Sequence, residues 1–255
     1  MNGVALGARF SLATNRLAYC GPSDAEPSLY GVITATGPAE PARRALSRFE
    51  ALMPYLEAIA RVHNRDPFDR EVVEAYWLGN ALLDSVPRSA FVALLEALGG
   101  RGLPRSIVRR LIERLPEGAI PHHLFHVAYV GVGAVTGHVE TTLANMEVCR
   151  PAGAEIVARR GDRLTVRHPA LTERGGRYAF GPEVEESVAF DPRVLPETPV
   201  GASVALHWHW PALLLSNGQR DDLRRYSERA LAAANEARSG GPTAVSPGAP
   251  GGKGG

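Results

Sequence analysis

The softest ligand chemistry in this chain is carried by Cys149, in the run Met146-Glu147-Val148-Cys149-Arg150-Pro151, and by His207, in Val200-Gly201-Ala202-Ser203-Val204-Ala205-Leu206-His207-Trp208-His209-Trp210. One thiolate and one imidazole form a partial ligand set for iron, zinc or copper. Two ligands do not close a site, and on the residues alone the plainer reading is a buried thiol and a strand-borne histidine.

A cysteine binds metal only after losing its proton, and its ordinary pKa is about 8.5, so Cys149 needs Arg150, His207 or the metal itself to favour the anion. In a regular strand His207 and His209 share one face and Trp208 and Trp210 the other, which makes Trp208, His209 and Trp210 candidate binding residues beside the pair. A second candidate metal cluster is Cys20 with His122, His123 and His126. Its alternative is a set of hydrogen-bonded structural histidines, because no acid follows His122 in the zincin manner.

These residues need a scaffold, and the first part of the chain supplies helical periodicity. Ala42 to Val62 places apolar residues three and four apart, with Pro54 expected to kink or split the helix. Asp66-Pro67 reads as a cap that opens a helix running to about Ser85. Its Tyr76-Trp77 pair, with Asn80, faces either the core or a pocket. Two shorter helices follow, Arg88 to Leu98 and Pro104 to Leu115, and His122 to Val130 reads as a buried strand or strained loop. From Glu155 the pattern changes to strands: Glu155–Arg160 and Arg163–His168 flank the hairpin turn Gly161-Asp162, and further strands are expected around Gly175-Gly176 and over Glu186–Phe190. Ser216-Asn217 then caps an amphipathic helix over Asp222–Ala237. The predicted fold class is α+β: a mainly helical domain, 1–145, then a small OB-like β-barrel with a closing C-terminal helix, 146–237, and a disordered Gly/Pro-rich tail, 238–255.

Composition narrows the function classes. The 255 residues are 45% hydrophobic and 22% charged, with a formal net charge of +1. Nothing in that balance recruits nucleic acid or a membrane surface. The two cysteines lie in segments of different character, which points to free thiols in a reducing compartment, and no window approaches the length of a bilayer span. A cytoplasmic protein is expected. Gly131-Val132-Gly133 lacks the rest of a dinucleotide loop, and neither a phosphate loop nor a Gly-x-Ser-x-Gly elbow occurs.

The segment from about Met146 to Ala237 resembles the HypC/HupF family of [NiFe]-hydrogenase maturation chaperones. The resemblance rests on a cysteine opening the first strand, a Gly-Asp hairpin, the run Val200 to His207 and a leucine-rich step into a closing helix. It implies that Cys149 and His207 carry iron bearing diatomic ligands, in partnership with a hydrogenase large subunit or a maturation scaffold protein. Cys149 departs from the pattern in being internal, and Trp208-His209-Trp210 departs from its small and aliphatic residues. The whole chain is also similar to an uncharacterised hydrogenase-associated family, through Asn15-Arg16-Leu17-Ala18-Tyr19-Cys20-Gly21-Pro22, Val73 to Asn80 and Pro121 to His126.

The expectation is therefore a non-catalytic accessory protein for [NiFe]-hydrogenase maturation, holding an iron-ligand unit or the immature large subunit. The alternatives are a metal-dependent enzyme using Cys20, His122, His123 and His126, and a metal-free interaction module that recognises its partner through Trp208 and Trp210.

Overall fold

The computed structural model describes residues 1–239. Helix α1 (Gly3–Arg16) is buried over nearly its whole length, with Asn2 capping it through its side chain. Helices α2 (Glu26–Ile33) and α3 (Ala39–Leu46) pack on it. The expected Ala42–Val62 helix is split between α3 and α4 (Leu52–His63). The break precedes Pro54, which lies in the first turn of α4, where a missing amide proton leaves no bond unmade.

Helix α5 (Arg70–Trp77) begins later than expected. Asp66 accepts from the amide of Phe68 in a turn, and Asp69 is the residue that caps the helix. It also ends earlier, because Gly79 takes φ +86°, and a 3₁₀ segment covers Ala81–Ser85. Helices α6 (Arg88–Gly99) and α7 (Arg105–Glu113) follow the predicted pattern closely.

The segment expected as a strand or loop, His122–Val130, is helical. His122 caps a single turn, α8 (His123–Phe125), by accepting from the amide of Leu124, and a π-helical stretch spans His126–Gly131. Such wide turns are often found at functional sites. Helix α9 (Leu143–Cys149) then leads into the sheet.

Strands β1 (Ala152–Arg160), β2 (Arg163–Arg174), β3 (Arg177–Ala189), β4 (Ser203–His207) and β5 (Trp210–Leu215) form one antiparallel sheet in the order β3-β2-β1-β4-β5. The Gly161-Asp162 turn is as read from the sequence, with Gly161 at φ +59°. The expected Glu186–Phe190 strand is the end of the longer β3. Among the described residues no backbone ladder joins β3 to β5, so the sheet is open where a closed barrel was expected. A side-chain bond bridges that seam: Glu186 of β3 accepts from Nδ1 of His209, in the turn before β5, at 2.6 Å.

Helix α10 (Asn217–Ser239) closes the fold. Ser216 and Gln219 cap its start reciprocally. The predicted disordered tail, 238–255, lies outside the described residues except for Arg238 and Ser239, which continue α10. The expected boundary at 145/146 falls inside α9, and one continuous hydrophobic core runs through the helices and the sheet. Among the described residues no helix is long and apolar enough to cross a membrane.

Candidate metal centre

The β1–β4 ladder brings residues 149 and 207 together. Ala152 of β1 pairs with Leu206 of β4, so the end of α9, three residues before Ala152, lies beside His207. The amide of Trp208 donates to the carbonyl of Val148 at 2.6 Å and fixes that approach. Cys149 Sγ stands 3.9 Å from His207 Nε2 and 3.7 Å from His123 Nε2. All three residues are buried, and each offers a ligand atom within 4.8 Å of the others. Ligand bonds of 2.0–2.3 Å at a tetrahedral angle require sulfur and nitrogen to lie about 3.6 Å apart, so the observed spacing is close to that of a loaded centre.

Each imidazole is held from behind. His207 Nδ1 lies 2.6 Å from the carbonyl of Phe10, a contact that only a ring N–H favours, so Nε2 keeps its lone pair toward the sulfur. His123 Nδ1 meets the hydroxyl of Tyr76 at 2.7 Å, and its Nε2 lies 3.0 Å from the carbonyl of Cys149. The carbonyl calls for a proton on Nε2, which makes Tyr76 the donor to Nδ1. Ligation by His123 therefore requires its proton to move to Nδ1 and the bond to the Cys149 carbonyl to be released. Trp77 packs against both rings, with centroids 4.3 Å from His123 and 4.9 Å from His207, and stacks on Phe10.

A cavity of about 40 Å³ opens beside these three residues, lined also by Ser11, Thr14, Cys20, Phe49 and Tyr76. Burial pushes the Cys149 thiol well up and His207 down to about 4, so the resting pair is neutral. His123 is also driven down, by burial first and then by its histidine neighbours. Arg150, expected to favour the thiolate, instead turns away. It pairs with Glu147 at 2.8 Å and faces a separate cavity of about 300 Å³ shared with His168, Glu186 and His209.

The two sequence-predicted sets thus contribute in part to one centre. Cys149 and His207 come from the first set and His123 from the second, with Cys20 on the cavity wall. His122 and His126 lie outside it. His122 caps α8, and His126 Nδ1 contacts the Tyr55 hydroxyl at 3.1 Å. Burial lowers them to about 3 and about 4, which suits neutral structural histidines.

Two further expectations need correction. Cys149 ends a helix and does not open a strand. His209 does not share a face with His207, because Trp208 and His209 form a two-residue turn with φ +53° and +56°. That turn buries Trp208 against Tyr19 and leaves Trp210 half-buried under the Arg16 guanidinium, so the two tryptophans do not form one exposed face.

The contribution of α1, namely the Phe10 carbonyl, Ser11 and Thr14, is not legible in the sequence. A backbone acceptor leaves no residue-type signal, although the near absence of charge over residues 3–14 marks a buried helix.

A model of a family of unknown function, DUF6390, matches residues 1–240. The chain belongs to that family. Its description names no reaction, metal or partner, and no curated protein and no solved structure matches the chain.

Proposed function

We propose that this member of DUF6390 is an accessory protein that holds a thiophilic transition-metal ion at Cys149, His123 and His207. The observation that carries the reading is the 3.9 Å approach of Cys149 Sγ to His207 Nε2, with the far side of His207 already anchored on Phe10. A histidine held this way presents a fixed lone pair, the usual arrangement behind a metal-ligating imidazole.

Electrostatics favours holding over nucleophilic catalysis. A Cys–His nucleophile works as thiolate and imidazolium, and burial here drives both groups to their neutral forms. A cation entering the cavity reverses that balance by displacing the thiol proton.

Iron is the narrower proposal, with a hydrogenase large subunit or maturation scaffold as the partner. It draws on the cysteine–histidine pair shared with the HypC/HupF resemblance. A cavity of about 40 Å³ fits a bare ion with one or two water-sized ligands. An iron bearing several diatomic ligands does not fit without widening of the cavity.

Anaerobic equilibrium dialysis of the full chain against ferrous iron tests the reading. Wild type retains iron after desalting, whereas Cys149→Ser and His207→Gln lose it. Equal retention by all three removes the assignment.

A further inference from the structure

Cys20 lines the cavity of the metal centre but stands outside the cluster of three mutually close ligands. Cys20 is half-buried, whereas His123, Cys149 and His207 are buried.

Its loop, residues 17–24, is built over the cavity from three directions. The Asn15 side chain of α1 donates to the carbonyls of Cys20 and Pro22, at 3.2 and 2.8 Å. Glu50 accepts from the amide of Gly21 at 3.0 Å, which places a carboxylate next to the thiol. Tyr19 packs on Trp208, the residue after His207, with ring centroids 4.7 Å apart. Gly21 is required here: its φ is +77°, and a Cβ would come within 2.4 Å of the Phe49 ring, itself part of the cavity wall.

We propose that Cys20 is the second thiolate of the centre. It captures a soft divalent cation at the cavity mouth and, by an inward shift of its loop, completes a two-sulfur, two-nitrogen shell with Cys149, His123 and His207. This inference rests on the metal-holding function proposed above. Two sulfurs and two imidazoles are a tetrahedral donor set suited to zinc and ferrous iron. The Glu50 carboxylate attracts the cation to the mouth. Metal–sulfur bonds replace two S–H bonds, both protons leave to solvent, and no oxidant or reductant is consumed.

Anaerobic titration of the full chain with cobalt(II) reads the number of thiolates from the sulfur-to-cobalt charge-transfer absorption. Wild type binds one equivalent. Cys20→Ser still binds one, with about half the charge-transfer intensity per bound ion, as one sulfur of two is lost. Wild-type intensity in Cys20→Ser, with cobalt bound, overturns the role of Cys20 and leaves the proposed function standing. No cobalt binding by wild type overturns both.

A second measurement needs no substitution. Bound cobalt slows alkylation of Cys20 by iodoacetamide in the wild-type chain, and alkylation of Cys20 at the metal-free rate in the loaded protein overturns the proposal.

Discussion

His207 donates its Nδ1–H to the carbonyl of Phe10 across 2.6 Å, joining the end of β4 to the middle of α1. That one bond fixes the tautomer of His207 and aims Nε2 at the sulfur of Cys149. His123 has the opposite arrangement, with its proton on Nε2 toward the carbonyl of Cys149. Nitrogen-15 NMR of the metal-free protein at neutral pH is expected to show His207 protonated at Nδ1 and His123 at Nε2. Metal addition then moves the His123 proton to Nδ1. A metal-free His207 protonated at Nε2 contradicts the account.

Tyr76 supplies the hydrogen bond that holds His123 Nδ1. Tyr76→Phe leaves a fully buried acceptor unpaired, which costs about 1–3 kcal/mol. Chemical denaturation measures the loss, and an unchanged midpoint contradicts the assigned bond.

Gly79 ends the helix that carries Tyr76 and Trp77. It holds φ +86°, and a Cβ there would sit 2.4 Å from the Tyr226 side chain of α10. Gly79→Ala combines left-handed strain with a clash against packed side chains and is expected to destabilise by roughly 3 kcal/mol or more. Thermal unfolding within a degree or two of wild type contradicts this packing.

The buried histidines set the response to acid. Folding holds His122 at about 3 and His126 and His207 at about 4, all below the ordinary value near 6.5, and His123 is lowered as well. Below pH 6.5 the unfolded chain takes up protons that the folded chain refuses, so stability falls as pH drops toward 4. The slope is on the order of 1.4 kcal/mol per pH unit for each histidine. Glu186 acts in the same direction at lower pH. Against a burial penalty, hydrogen bonds from His168 and His209 hold it at about 2, and its contribution is lost as pH falls from about 4.5 toward that value. His209 runs the other way: its pKa is raised by its bond to Glu186, so its contribution is present below 6.5 and fades as pH rises through its folded value. Urea midpoints from pH 7.5 to 4.5 are expected to fall continuously, and flat midpoints contradict the buried neutral histidines.

Much of this arrangement is legible in the sequence because hydrophobic periodicity and glycine turns are local signals. The hairpin at Gly161-Asp162 and helices α6 and α7 are examples. Cys149 and His207 also stand out by residue type, and the β1–β4 register brings them together. The helical form of His122–Val130 is not legible, because a short run of aromatic and β-branched residues looks the same whether it forms a buried strand or a π-helical turn. The union of His123 with Cys149 was not legible, since it depends on where α8 and the end of α9 meet in space. The left-handed turn at Trp208-His209 was hidden too, because neither residue is one that such a turn prefers, and it alone sends His209 to Glu186 and away from His207.

X-ray absorption at the iron edge of anaerobically loaded full-length protein tests the central claim most directly. Sulfur scattering near about 2.3 Å together with imidazole nitrogen near about 2.0–2.1 Å is the predicted result. Retained iron surrounded by oxygen and nitrogen alone, or no retained iron at all, contradicts a metal centre built on Cys149.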